Sequence, residues 1–245
     1  HYPLRRQRQM CIRDRDITVL SFSDSSMVDR NSSIIKVDSG WIVYSKNSES
    51  SILSFTSDGQ FSGYIGHRGN GPGEYTSVYD VVVNQKSKVL EVLSDGGIFC
   101  YTFGGDFLDK KEVTYPAFSF AIDDRQNYWF YVGNNTTYGD AKMICTDENI
   151  ANVAYYLHQK SNMLPMVENN FGRNGEWLTF HESLNHDLYT IENGKLDLSY
   201  AMDFPNYKLP KKLHELSGME VIEELQRSNS VSYTHLRAHE TEADL

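Results

Sequence analysis

At 245 residues, with 13% aromatic residues and 16 tyrosines, the chain can hold one large all-β domain or two ordinary ones, and its composition favours strands. A formal net charge of -10 and a pI near 5.2 exclude a nucleic-acid backbone as the main partner. No apolar run approaches the roughly 18 residues of a transmembrane helix, and Cys11, Cys100 and Cys145 form neither a CxxC pair nor a dense disulfide framework.

The two ends differ from the body. Residues 1–15 carry Arg5, Arg6, Arg8, Arg13 and Arg15 but no lysine, and no apolar stretch of a secretory signal follows them. The string Gln9 to Arg15 and the closing Val231 to Thr241 resemble translated sequencing-adapter read-through. Residues 1–15 and 229–245 are therefore expected to be non-native flanks, leaving 16–228 as a domain cut at both ends.

Within the body, alternating apolar runs bounded by turn residues predict strands over Ile34 to Val37, Gly40 to Tyr44, Ile52 to Phe55 and Phe61 to Ile65. A glycine-dense stretch, Gly66-His-Arg-Gly-Asn-Gly-Pro-Gly-Glu-Tyr75, links this group to the next. It is not a phosphate loop: Pro72-Gly73 stands where Lys-Ser/Thr is needed, and the segment that follows reads as strand, so no helix N-terminus faces an anion. The second group runs through Val78 to Val83, Lys88 to Leu93, Ile98 to Phe103 and Phe107 to Val113. The third comprises Phe118 to Ile122, Tyr128 to Val132, Lys142 to Cys145 and Ile150 to Leu157, and the fourth Val167 to Phe171, Glu176 to Phe180, Asp187 to Ile191 and Leu196 to Met202.

Asx-Gly and Gly-Asp pairs such as Asp58-Gly59 and Gly105-Asp106 supply the hairpin turns. Four antiparallel strands per repeat, with a period in the forties, describe a β-propeller blade, and about four blades are present. Trp41, Trp129 and Trp177, each near the start of a second strand, set the register and are expected to pack between blades. Beyond the last blade, apolar residues from Leu213 to Leu225 recur every three positions and predict a helix over Leu209 to Gln226.

The string Ile65 to Tyr75, preceded by Phe55-Thr-Ser-Asp-Gly-Gln-Phe61, and the later Asp203-Phe-Pro-Asn-Tyr-Lys-Leu-Pro210, resemble the six-bladed β-propeller family of Bacteroidetes, related to NHL-repeat proteins. The resemblance covers about residues 17–228. It implies a six-bladed ring of which this chain carries about four blades. It also implies export to the periplasm or as an outer-membrane lipoprotein, with the signal and lipid anchor upstream of the present N-terminus.

In a propeller, the loop joining one blade to the next opens on the same face as the loop between the second and third strands, and that loop face is the usual binding surface. Here it offers Arg68, Glu74, Tyr75, Asn47, Asp95, Asn134 and His181 as candidate ligand-binding residues. Arg68 and Glu74 are also placed to clasp their own loop. His181 and His186 with Glu182 fall short of the three or four converging ligands a metal needs, so neither metal nor cofactor is expected. Inner strands such as Ile34 to Val37 and Phe118 to Ile122 carry no carboxylate or histidine. The expected function is non-catalytic binding of a carbohydrate, peptide or protein through the loop face. The alternative is a hydrolase or lyase acting on a sugar or lactone with a metal in the central channel.

Overall fold

The computed structural model of the chain describes residues 17–22, 28, 32–46, 51–133, 139–158, 169–175, 177–182, 185–203, 216 and 219–227. Among the described residues, sixteen strands form four sheets, each a four-stranded antiparallel meander in chain order. The first blade is β1 (Ser33–Val37), β2 (Gly40–Tyr44), β3 (Ile52–Thr56) and β4 (Phe61–Ile65). Blade two is β5 (Asp80–Asn84), β6 (Val89–Ser94), β7 (Gly97–Tyr101) and β8 (Phe107–Lys111). Blade three is β9 (Ser119–Ile122), β10 (Tyr128–Tyr131), β11 (Ala141–Thr146) and β12 (Ala154–His158). Blade four is β13 (Phe171–Asn174), β14 (Trp177–His181), β15 (Asp187–Glu192) and β16 (Lys195–Ala201). The fold is a β-propeller, all-β in class, and the inner strands β5, β9 and β13 approach one another around its axis. A helix, α1 (Met219–Arg227), follows the last blade. It forms the C-terminal part of the expected helix, of which residues 209–215, 217 and 218 lie outside the described residues.

Strand residues alternate between the two faces of a blade, so each blade offers one apolar set to its predecessor and another to its successor. Between blades one and two, Ile42, Ile52 and Ile65 meet Val81, Leu90 and Val92. Between two and three, Leu93 and Ile98 meet Phe120 and Phe130; between three and four, Trp129 and Met143 meet Leu178 and Phe180. Full burial of one such aliphatic side chain contributes about 1.5–3 kcal/mol, so the seams dominate the stability of the fold. Cys100 and Cys145 are buried free thiols, each pushed up to about 12 by burial, and are chemically quiet. Cys11 lies outside the described residues.

The tryptophans do not share one setting. Trp129 is fully buried in the seam between blades three and four, and its indole N–H donates to Asp123 at 3.0 Å. Trp41 pairs with Lys36 and packs with Val43, Leu53 and Phe55 on the side of blade one that faces away from blade two. Trp177 is 67% exposed on the far side of blade four. The blades were recognisable from strand periodicity; the indoles mark second strands, not equivalent positions.

Two strands start four residues later than expected, the largest shifts among the strand starts. β12 begins at Ala154 rather than Ile150, because Asp147 accepts the backbone N–H groups of Asn149 and Ala151 and holds a turn in which Ile150 and Asn152 take positive φ. β13 begins at Phe171, where the sequence pattern would end the strand.

Candidate functional site

The glycine-rich stretch is a latch between blades one and two. Its ends are brought together by bonds from Gly69 N–H to the Tyr75 carbonyl (3.0 Å) and from Tyr75 N–H to the His67 carbonyl (3.1 Å). Tyr75 is 0% exposed; its hydroxyl accepts from Ile52 N–H and donates to the Ile65 carbonyl, both at 3.3 Å, and its ring meets Tyr101 edge-on. The Tyr101 hydroxyl in turn donates to the Gly73 carbonyl at 2.8 Å. Gly66 and Gly73 take φ of +60° and +75°, and a Cβ on either would fall 2.6 Å from the ring of Tyr101 or Phe107 respectively. The glycines are there for close approach to aromatic rings.

The other expected ligand contacts are engaged in the same latch. Glu74 accepts the Gly71 N–H at 2.8 Å, and Arg68 donates to the Thr76 carbonyl at 3.0 Å, so both order their own loop through its backbone. Asp95 accepts from the hydroxyls of Tyr79 (2.6 Å), Thr76 (2.8 Å) and Ser77 (3.0 Å), and these bonds, Tyr79 first, hold its carboxyl below the usual carboxylate range. Arg68, Glu74, Tyr75 and Asp95 are thus gathered in one structural cluster. Tyr75, expected to meet ligand, is instead a buried packing residue. Asn47 and Asn134 lie outside the described residues. His181 lies two blades away at the end of β14, where its backbone N–H and carbonyl pair with Asn170.

Where the inner strands converge there is a cavity of about 500 Å³, walled by residues of β1, β5, β9 and β13. At its loop-face end sit Ser33, Tyr44, Lys46, Asp80, Asn169 and Asn170. Asp80 corrects the expectation that inner strands lack carboxylates. It opens β5, is buried, and accepts from Lys46 (2.8 Å), Val81 N–H (3.0 Å) and Phe120 N–H (3.1 Å). Burial raises its pKa against the opposing pull of Lys46 and the two N–H groups. One carboxylate therefore ties together blades one, two and three. Beside it, Ser119 Oγ donates to Asn170 Oδ1 at 2.9 Å and joins blade three to blade four.

The same chemistry recurs at every seam. Tyr44 faces Asp80 beside Lys46 between blades one and two. Between two and three, the Tyr128 hydroxyl donates to both oxygens of Glu91 (2.9 and 2.8 Å), and Lys111 donates to Tyr128. Between three and four, Tyr131 donates to Glu182 at 2.7 Å and Lys142 reaches both its oxygens at 2.9 and 3.0 Å. Each set places a carboxylate, a phenol and an ammonium in contact, and burial raises the pKa of Tyr44 and of Tyr128. These groups satisfy one another, as buried polar atoms must. Of these groups the sequence singles out only Glu182, as a neighbour of His181 and His186 and not in this role. The available signal was a lone carboxylate inside an apolar run, as Asp80 is among valines and Glu91 between Leu90 and Val92.

The chain belongs to the family of a domain of unknown function, DUF4934, whose model matches residues 16–240. Its fold is similar to that of a Bacteroides fragilis protein named as exported, with a TM-score of 0.69 and 15% identity over 79% of this chain and 56% of that one. It is also similar to a member of the DUF4221 family from Bacteroides vulgatus, with a TM-score of 0.51 and 10% identity over 77% of this chain and 62% of that one. The chain thus spans less than two thirds of either structure. A search of the curated proteins finds no match.

Proposed function

We propose that this DUF4934 member is a non-catalytic propeller that holds a small polar ligand, a carbohydrate or short peptide segment, in the loop-face end of its central channel. The observation that carries this reading is the cavity of about 500 Å³ at the convergence of four inner strands, a size within the usual range for small-molecule pockets. Its loop-face end presents a hydroxyl, a phenol and two amides from Ser33, Tyr44, Asn169 and Asn170. Its one buried carboxylate, Asp80, already accepts from an ammonium and two backbone N–H groups, an arrangement suited to rigidity rather than to proton transfer.

On the same footing we propose that the four blades belong to a six-bladed ring and that the protein works outside the cytoplasm, in the periplasm or as an outer-membrane lipoprotein. Trp177 and Tyr200, 67% and 64% exposed, are an apolar surface of the kind that a further blade covers. The B. fragilis neighbour's name as an exported protein supports the location.

The test uses Ile34, which lines the cavity yet is 58% exposed and absent from the buried clusters. An Ile34→Trp substitution fills the channel without opening a seam. Calorimetric titration of the full chain against oligosaccharide and peptide panels should find a ligand that Ile34→Trp loses by about ten-fold or more, corresponding to 1.4 kcal/mol, with an unchanged melting temperature. Equal binding by both proteins would move the site away from the channel.

A further inference from the structure

We infer that the channel ligand is a sugar acid, a mono- or disaccharide bearing a carboxylate, with that carboxylate held between Lys36 and Arg173. The inference rests on the reading of the channel as the binding site and adds the ligand's charge and orientation. In a chain of formal net charge -10, the cavity wall carries three cations, Lys36, Lys46 and Arg173, against a single carboxylate, Asp80. Lys46 offsets Asp80 at 2.8 Å and Asp124, outside the wall, partly offsets Arg173 at 3.3 Å, so the wall stays net positive through Lys36 and the remainder of Arg173. A cleft lined by one sign of charge concentrates the opposite sign.

Register places the two cations at one depth. Ser33 pairs with Tyr44 and Asn170 with His181 at the loop-face ends of β1 and β13. Three positions inward from those ends, Lys36 pairs with Trp41 and Arg173 with Leu178. Lys36 and Arg173 are therefore level with each other on the first and last inner strands, while blades two and three contribute Val83 and Ile122 to that part of the wall. The Lys36 ammonium lies 5.3 Å from the centre of the Trp41 ring. Arg173 gives one amino group to Asp124 at 3.3 Å and the other to the Ile122 carbonyl, and a guanidinium with five N–H donors keeps further donors to offer. Nearer the loop face the wall turns to hydroxyls and amides, which suit a ligand's hydroxyl groups, and Phe171 adds an aromatic surface for the apolar side of a sugar. The ligand this gradient fits carries its anion at the deeper end and its hydroxyl groups at the loop-face end.

Titration of the full chain with glucuronate, galacturonate and digalacturonate, against glucose, galactose and acetate as probes, tests the inference. The sugar acids should bind about ten-fold or more tightly than the neutral sugars, the gain expected of one charge-assisted contact, and acetate should bind more weakly than any of the three acids. Lys36→Gln, at an exposed position, should reduce sugar-acid affinity by a similar factor and leave neutral-sugar affinity unchanged. Arg173→Gln should do the same; because Arg173 also bonds to blade three, its melting temperature is measured alongside. Neutral sugars binding as tightly as the acids, with Ile34→Trp abolishing both, would overturn the charge inference and leave the channel reading standing. Acid binding that survives both cation variants would overturn it as well. Failure of every sugar to bind would overturn the sugar-acid inference, and the peptide panel against wild type and Ile34→Trp would then decide the channel reading.

Discussion

At the scale of single residues, the molecule places its ionisable groups where they bind blade to blade. Lys46 and Asp80 are the clearest case, because both side chains are nearly inaccessible and Asp80 also takes N–H donors from β5 and from β9. Removing the ammonium alone would strand a buried carboxylate, which typically costs about 3–5 kcal/mol. Lys46→Met should therefore lower the unfolding free energy in urea by an amount of that order. Asp80→Asn in the Lys46→Met background should recover much of the loss, since the amide keeps an acceptor for a backbone donor and carries no charge. Equilibrium unfolding of the two single variants and the double variant gives the coupling directly. A double variant as unstable as the sum of the singles would mean that the pair is not a unit. Glu91 with Tyr128 and Lys111, and Glu182 with Tyr131 and Lys142, repeat the arrangement with different strands contributing the acid.

At the scale of elements, the glycine-rich stretch works as a fastening. One tight restraint is at Gly73, where a methyl group would meet the Phe107 ring at 2.6 Å in a conformation, φ +75°, that L residues rarely adopt. Gly73→Ala should cost about 1–3 kcal/mol through this overlap. Phe107→Ala should return part of it, because Phe107 is 42% exposed and its removal opens room at little cost. Urea midpoints of the single and double variants check the prediction, and no recovery would assign the whole effect to backbone conformation. That this stretch is a constrained inter-strand loop was legible in the sequence, as were nearly all the strands, because alternation and turn residues are local signals. Its residues' roles were not legible. Tyr75 follows a loop and reads as exposed, yet it is buried by Tyr101, a partner 26 residues away in the next blade. The channel escaped for the same reason: Lys36, Asp80, Asn170 and Arg173 come from three blades, and no spacing within one repeat encodes their meeting. What the sequence does hold is the anomaly of a carboxylate in an apolar strand, a cost that must be met by a partner elsewhere in the fold.

For the whole molecule, the two outermost blade faces differ. On blade one, the face turned away from blade two is closed: Val43, Leu53 and Phe55 are buried beneath a layer that includes Leu20, and Ser21 N–H bonds to the Gly59 carbonyl at 2.8 Å. Blade four is bare by comparison, with Trp177 and Tyr200 exposed around a cavity of about 450 Å³ that they line together with Glu192 and Asp197. Contiguous apolar surface of this kind on a folded domain drives association. The full chain should therefore self-associate through blade four, its sedimentation coefficient rising with protein concentration. A Trp177→Glu/Tyr200→Lys protein should sediment as a monomer over the same range. The channel lies on the inner strands, and Trp177 and Tyr200 are not among the residues lining it, so ligand affinity should be the same in both proteins. Wild-type protein that stays monomeric at every concentration would show that blade four's face is adequately solvated by its carboxylates. Association that persists in the double variant would assign it to another surface. Because the seams inside the molecule are closed by paired charges as well as apolar contact, a face offering Glu192 and Asp197 beside its aromatics should take its best partner from a surface carrying lysine and tyrosine. Association of the wild-type chain should then weaken as salt is raised, where a purely apolar contact would hold or strengthen.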